Sequence, residues 1–152
     1  KGFFSSENDV RTAAEAGAAA LLVLLCDLDD AAVRRLTGLA AGYGLDAFVE
    51  AHDGQELDRA LALGADPIGI NARDLATFAI DRARQLRLVA SARRRAPDRV
   101  IVAESGIWSR AQGAAAELAG APVRGQQPAR DGEGPRRNDV SDGGTKGLLL
   151  GG

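Results

Sequence analysis

The chain has 152 residues, 45% of them hydrophobic and 26% charged, with a formal net charge of -2 at pH 7. That balance describes one globular domain with a real core, and it offers no electrostatic footprint for nucleic acid or an anionic membrane. The longest apolar run, residues 18–26, is far short of the roughly 20 residues of a membrane helix; Lys1 opens no signal-peptide pattern and a single cysteine excludes an internal disulfide, so the expected setting is cytoplasmic.

In chain order, residues 1–4 read as the tail of a strand, with Phe3 and Phe4 as its apolar matter. Asn8 can cap a helix whose apolar stripe is Val10, Ala13, Ala14 and Gly17. Residues 21–25 form a continuous apolar run, as expected of a parallel strand covered on both faces. Cys26, at the end of that strand, reads as a small core residue. Asp29 or Asp30 caps the next helix, where Val33, Leu36 and Ala40 share a face and Gly42 and Gly44 end it. Residues 47–51 are the next strand. Asp53, with Glu56 three residues on, has the spacing of a capping box before a helix buried through Leu57, Ala60, Leu61 and Gly64.

Residues 67–78 concentrate a strand, a polar strand end and a turn. Ile68 and Ile70 alternate at period two, and the run stops at Asn71, Arg73 and Asp74, which cannot stay unpaired in a dry sheet. A helix over residues 81–95 with Leu86, Val89 and Ala90 inward, a strand over 100–103, and a helix capped by Ser109 with Gln112 behind it complete the pattern. Trp108 is expected to pack where that helix joins the sheet. Strand and helix alternate with short connections, which predicts a parallel sheet of right-handed βαβ units. A rhythm runs through it. Gly17, Gly44 and Gly64 each leave a helix just before a strand, and the same rhythm predicts another strand after Gly120 and Ala121.

That strand is not legible, because residues 122–152 are dominated by Gly, Pro, Arg, Asp and Gln and are expected to be disordered. Two accounts stay open: a natural tail, or translation in a shifted frame. Read one base later, Gly125-Gln126-Gln127 decodes as Gly-Ser-Ser if both glutamines are CAG, which would restore a phosphate-binding turn. The expected division is therefore residues 1–121 as a partial barrel domain and 122–152 as a disordered or frame-shifted tail. With no methionine anywhere, the chain reads as an interior piece of something longer.

The strand ends carry the chemistry. Lys1, Glu50 and His52, Asn71 with Arg73 and Asp74, and Glu104 with Ser105 and Gly106 all follow strands. In a parallel barrel or sheet these ends converge on one side. A lysine and carboxylates in an enclosed site make a workable acid and base set, and Gly106 lets the backbone approach a phosphate. His52 reads as a surface or capping residue, and the only His and only Cys are not expected beside suitable carboxylates, so no metal set is expected. The arginines of residues 82–95 lie mostly off the apolar stripe, with no aromatics between them for stacking bases, and read as a solvated outer face.

Four motifs carry a resemblance to a known family. Lys1-Gly2-Phe3, Phe48-Val49-Glu50-Ala51-His52, Ile68 to Leu75 with Thr77-Phe78, and Ala103-Glu104-Ser105-Gly106-Ile107 are similar, in order and spacing, to motifs of indole-3-glycerol phosphate synthase. The resemblance covers roughly residues 1 to 121. It implies an incomplete (β/α)8 TIM barrel, an α/β fold, from a lyase of tryptophan biosynthesis. That enzyme decarboxylates and closes a ring in 1-(2-carboxyphenylamino)-1-deoxyribulose 5-phosphate, without metal or organic cofactor. By motif, Lys1 would be the general acid at the sugar carbonyl and Glu50 the carboxylate assisting dehydration. Asn71 would orient them, and Glu104 and Ser105 would contact the sugar and position the lysine. Arg73 would hold the substrate carboxylate, Phe3 would line the anthranilate pocket and Gly106 would belong to the phosphate site.

The resemblance has departures. Gly2 stands where the family usually has Asp, and a barrel takes roughly 250 residues, so the chain opens at what resembles the third strand and is expected to be inactive alone. The implied partner is a phosphorylated small molecule, with no nucleic acid or membrane, and association is expected through sheet edges around Phe3 and Val100. Two alternatives stay open: another phosphate-binding barrel enzyme, such as phosphoribosylanthranilate isomerase or the tryptophan synthase α subunit, and a non-catalytic gene fragment.

Overall fold

A computed structural model describes residues 6–120. Lys1, Gly2 and Phe3, the strand expected over residues 1–4, and the tail expected over 122–152 lie outside the described residues. The elements run α1 (Glu7–Glu15), β1 (Ala20–Leu24), α2 (Asp30–Gly42), β2 (Asp46–Ala51), α3 (Gly54–Ala62), β3 (Ile68–Asn71), α4 (Arg82–Arg95), β4 (Ile101–Glu104) and α5 (Arg110–Leu118). The four strands are all parallel and lie in the sheet in the order of the chain, β1-β2-β3-β4. A doubly wound sheet reverses its order at a switch point. Strictly sequential order with a helix after every strand is instead the arrangement of consecutive units of a (β/α)8 barrel.

Strand parity sorts the side chains into two sets. Leu21, Val23, Val49, Ala51, Ile68, Ile70, Ile101 and Ala103 join helix residues such as Val33, Leu36, Leu57, Ala60, Val89 and Ala116 in one core between sheet and helices. The opposite face carries Leu22 and Leu24, Phe48 and Glu50, Gly69 and Asn71, Val102 and Glu104, the residues of alternate parity. Ile68 and Ile70, which mark the third strand in the sequence, therefore serve the helix-facing core. Gly69 and Asn71, between and after them, serve the other side.

The helix ends follow the expected chemistry with one shift. Asp29, Asp53, Asp81 and Ser109 are N-caps. At α1 the cap is Ser6 rather than Asn8, because Ser6 and Asp9 form a reciprocal capping box that Asn8, already the second residue of the helix, cannot make. Gly17, Gly44 and Gly64 leave α1, α2 and α3 with φ of 78°, 73° and 77°, and Gly120 repeats this after α5 at 100°. The left-handed conformation explains the glycine rhythm, since a Cβ there would press on the following carbonyl.

Two further expectations change. The buried stripe of α4 is Gln85, Val89 and Ala92, with Leu86 and Ala90 only partly covered. Trp108 is 70% exposed rather than packed at the helix–sheet junction. It precedes the N-cap of α5, and its backbone N–H donates to Gln112 Oε1 at 2.7 Å. Ser109 and Gln112 complete a capping box there. Ser109→Ala is expected to cost about 1 kcal/mol, read from the urea unfolding midpoint. Val100, at the sheet edge, is exposed as expected. No helix among the described residues is long and apolar enough to cross a membrane.

Candidate active site

The register places three polar residues on one face. Glu50 pairs with Gly69 across β2 and β3, and Asn71 pairs with Glu104 across β3 and β4. All sit at the C-terminal ends of their strands, where side chains of a parallel sheet converge. Asn71 Nδ2 donates to Glu50 Oε1 at 2.9 Å, a bond between two buried side chains 21 positions apart in the chain. The other end of the same amide, Oδ1, accepts the backbone N–H of Arg73 at 2.9 Å. Asn71 thus ties a carboxylate of one strand to the loop that follows another.

Room for this arrangement comes from Gly69. A Cβ at that position would lie 1.9 Å from Glu104 Oε1 and 2.6 Å from Phe48 Cε1, so the Glu104 carboxylate and the Phe48 ring occupy the space over the strand. The requirement at Gly69 is one of space, since its φ is not in the left-handed region. Beneath the same strand ends, fully buried Gln85 donates from Nε2 to the carbonyls of Ile70, at 2.6 Å, and Glu104, at 2.5 Å. Its Oε1 accepts from Arg82, whose other nitrogen reaches the carbonyl of Gln112 at 3.1 Å. A buried amide from α4 therefore fixes the ends of β3 and β4 relative to each other.

The loop after β3 is folded on Asp74. Its Oδ1 accepts from the N–H groups of Ala76 and Thr77 and from Thr77 Oγ1, at 3.0, 2.8 and 2.9 Å. The Thr77 backbone bond first, then its hydroxyl, hold the Asp74 carboxyl below its ordinary range. Arg73 forms an isolated antiparallel bridge with Ile80, which closes the loop, and Phe78 turns through a left-handed φ of 59° with its ring exposed. After β4, Ser105 has φ 64° and Gly106 φ 68°. A Cβ on Gly106 would meet Ile80 Cγ2 at 2.6 Å, so this turn needs glycine for space as well as conformation. A serine held in the left-handed region stores strain of about 1–3 kcal/mol, a feature that clusters at ligand-binding turns.

His52 departs from its expected place. It is 8% exposed and stands between two carboxylates. Nδ1 lies 3.0 Å from Glu56 Oε2 and Nε2 lies 3.0 Å from Glu50 Oε1. The second is an ionic contact in which the ring N–H does not aim squarely at the oxygen. Burial opposes a charge on the imidazole, but the Glu50 and Glu56 contacts overturn it and push its pKa up to about 9. The expected capping box is also modified. Asp53 accepts from Glu56 N–H at 2.8 Å, yet Glu56 Oε2 takes the N–H of His52, at 2.7 Å, one residue before the cap.

Cys26 is exposed rather than in the core. Although the residue is exposed, its sulfur is partly desolvated, and this, with the negative charges of Asp27 and Glu56, pushes its pKa up to about 11, so at neutral pH it is a thiol and a poor nucleophile. Contrary to the expectation that the single His and Cys lack suitable carboxylates, Cys26, His52 and Glu56 bring their donor atoms within 4.8 Å of one another.

Of the site residues read from the sequence, the structure brings Glu50, Asn71 and Glu104 onto one face, with Arg73, Ser105 and Gly106 in the two loops beside it. Lys1 and Phe3 lie outside the described residues. Gly69 and Gln85 were not read as part of the site, and His52, set among the strand-end polar groups, was read as a surface or capping residue. A signal existed for His52, since period two places it on the side of Glu50.

A family model described as indole-3-glycerol phosphate synthase matches residues 1–123. The indole-3-glycerol phosphate synthase of Nocardioides sp. is 45% identical over 108 residues, 71% of this chain and 40% of that protein. That of Rhizorhabdus wittichii is 41% identical over 111 residues, 73% of this chain and 41% of that protein. The chain thus spans about two fifths of the length of these curated relatives. Among solved structures, a putative phosphonomutase from Burkholderia cenocepacia aligns with a TM-score of 0.56 at 17% identity, covering 80% of this chain and 67% of its own. A thiamine phosphate pyrophosphorylase from Pyrococcus furiosus aligns at 0.53 and 24%, covering 76% and 50%. At these identities the structural likeness speaks for the fold alone. The sequence matches speak for descent, and the chain belongs to the indole-3-glycerol phosphate synthase family.

Proposed function

We propose that this chain carries part of the active site of an indole-3-glycerol phosphate synthase, a carboxy-lyase acting on a phosphorylated anilino-sugar. The observation that carries the reading is the bond from Asn71 to Glu50, with Glu104 opposite Asn71 on the same face. Closing an indole ring requires protonating a carbonyl oxygen, stabilising a developing cation, and losing CO2 and water. Carboxylates at strand ends suit the cation and the proton transfers, and a lysine suits the oxygen.

In this reading Glu50 moves the proton during dehydration. Asn71 holds one of its oxygens and fixes the orientation of the carboxylate. His52, 3.0 Å from the same oxygen, supports it from a second side. Glu104 and Ser105 contact the sugar and position Lys1, the general acid; Arg73 grips the substrate carboxylate; Phe3 packs on the anthranilate ring. The turn at Ser105 and Gly106 takes one side of the phosphate. The described strands form one arc of the site, so the 152-residue chain alone is inactive, and residues 1–121 are the part of it that belongs to the barrel.

The test is a chimera in which residues 1–121 replace the matching segment of the Nocardioides sp. relative. The chimera is expected to release the indole product and the isolated chain to release none. A folded chimera without turnover, or turnover by the isolated chain, would overturn the reading.

A further inference from the structure

We propose that Cys26, His52 and Glu56 form a binding site for a divalent cation of the borderline-soft class, Zn2+ or Co2+, at the C-terminal ends of β1 and β2. This site shares His52 with the face proposed for ring closure, but the proposal does not rest on that reading. Three observations carry the proposal.

The first is the donor set. A thiol sulfur, an imidazole nitrogen and a carboxylate oxygen lie within 4.8 Å of one another. Ligands bound tetrahedrally at 2.0–2.3 Å sit about 3.3–3.8 Å apart. His52 Nδ1 and Glu56 Oε2 are already at 3.0 Å, and Cys26 is exposed, so the closure needed, about 1 Å at most, falls on the Cys26 side chain, whose single torsion moves the sulfur. One S, one N and one O donor suit Zn2+ or Co2+ far better than Mg2+ or Ca2+, and three protein ligands leave a fourth position for water.

The second observation is the support around the donors. A ligating histidine almost always donates its other ring N–H to a carboxylate, a backbone carbonyl or water. Here Nε2 faces Glu50 Oε1 at 3.0 Å, so an ion at Nδ1 would complete a carboxylate–histidine–metal triad. Glu56 is aimed by the backbone N–H of His52, at 2.7 Å. The loop carrying Cys26 is clamped by Arg59, which donates to the carbonyls of Leu25 at 2.8 Å and Leu28 at 2.6 Å and pairs with Asp30 at 2.8 Å.

The third is charge. Among the described residues, Glu50 and Glu56 both face one imidazole, and Asp27 adjoins the thiol. These negative groups draw a cation to the site, and the two charges of the ion replace the two protons it displaces, leaving the local net charge unchanged. Binding exchanges the Nδ1 proton and the thiol proton for the ion, and both protons leave to solvent. Nε2–H stays beside Glu50 Oε1, at 3.0 Å, so the cation would be felt at the carboxylate proposed for dehydration.

The chain has one cysteine and one histidine, which makes the test unambiguous. Metal-free protein is titrated with Co2+ and followed by absorption. The expected result is one equivalent bound, with a near-ultraviolet thiolate-to-cobalt band and the intense visible bands of tetrahedral Co2+, reversed by Zn2+. Cys26→Ser, at an exposed position, is expected to keep the native circular dichroism and abolish the thiolate band. Glu56→Gln is expected to weaken Co2+ binding at least tenfold. No thiolate band at millimolar Co2+ in folded protein would overturn the proposal, as would binding of undiminished affinity in folded Glu56→Gln.

Discussion

The imidazole resonance of His52, the only histidine of the chain, is expected to titrate in chelator-treated protein with a midpoint near 9 instead of 6.5. The two carboxylates that face it, Glu50 at 3.0 Å and Glu56 at 3.0 Å, supply the shift, against the cost of burial. Cys26 and Asp27 lie on the loop after β1, where the negative charge of Asp27 acts on the Cys26 thiol. Because the folded-state pKa is raised above the unfolded one, the protonated form favours the native state. The contribution is complete below about pH 6.5, falls as pH rises through the window from 6.5 to about 9, and is absent above it. Solvent screening of the ring holds its size to about 1–2 kcal/mol. Urea unfolding at a series of pH values checks it, and Glu50→Gln and Glu56→Gln should each lower the midpoint. A midpoint at or below 6.5 in folded protein would mean that the carboxylates do not hold the ring.

Gly69→Ala is expected to damage the site more than its size implies. One methyl group would stand 1.9 Å from Glu104 Oε1 and 2.6 Å from the buried Phe48 ring. The Glu104 carboxylate can swing away, since it ends a flexible side chain. The ring, 3% exposed between strands, has no such freedom. Overpacking of this kind costs roughly 1–3 kcal/mol. Because Glu104 must leave its place over β3 to admit the methyl, the same variant in the chimera is expected to lose turnover well beyond what its stability loss accounts for. Equal turnover in the variant would show that Glu104 does not need that position. Gly69→Ser, bulkier and polar, should be worse on both counts.

Much of the fold was legible because local chemistry and global topology agree. Asp29, Asp53, Asp81 and Ser109 cap their helices. The glycines at 17, 44 and 64 leave helices through left-handed turns, and the strand order follows the chain. Glu50, Asn71 and Glu104 were legible as strand-end polar groups, and their shared face follows from period two once the register is known. What the sequence hid depends on contacts between elements. The spacing of Asp53 and Glu56 reads as a capping box, and nothing in it tells that Glu56 reaches past the cap to His52. Gln85 looks polar and therefore external, yet its amide serves two strand carbonyls and displaces Leu86 from the buried stripe. Cys26 follows five apolar residues and so reads as core, but the strand has ended and the Arg59 clamp turns its loop outward. Trp108 fails for the converse reason: its size argues for burial, while its backbone is committed to the cap of α5.

The central claim is that the face joining Glu50, Asn71 and Glu104 performs the ring closure, with Glu50 moving the proton. The most direct measurement is steady-state turnover of the active chimera carrying Glu50→Gln, which keeps the oxygen that Asn71 Nδ2 donates to but cannot exchange protons at neutral pH. A fall in kcat of roughly a hundredfold or more, with KM changed by no more than about threefold, is the expected result. An unchanged kcat in the folded variant would contradict the account.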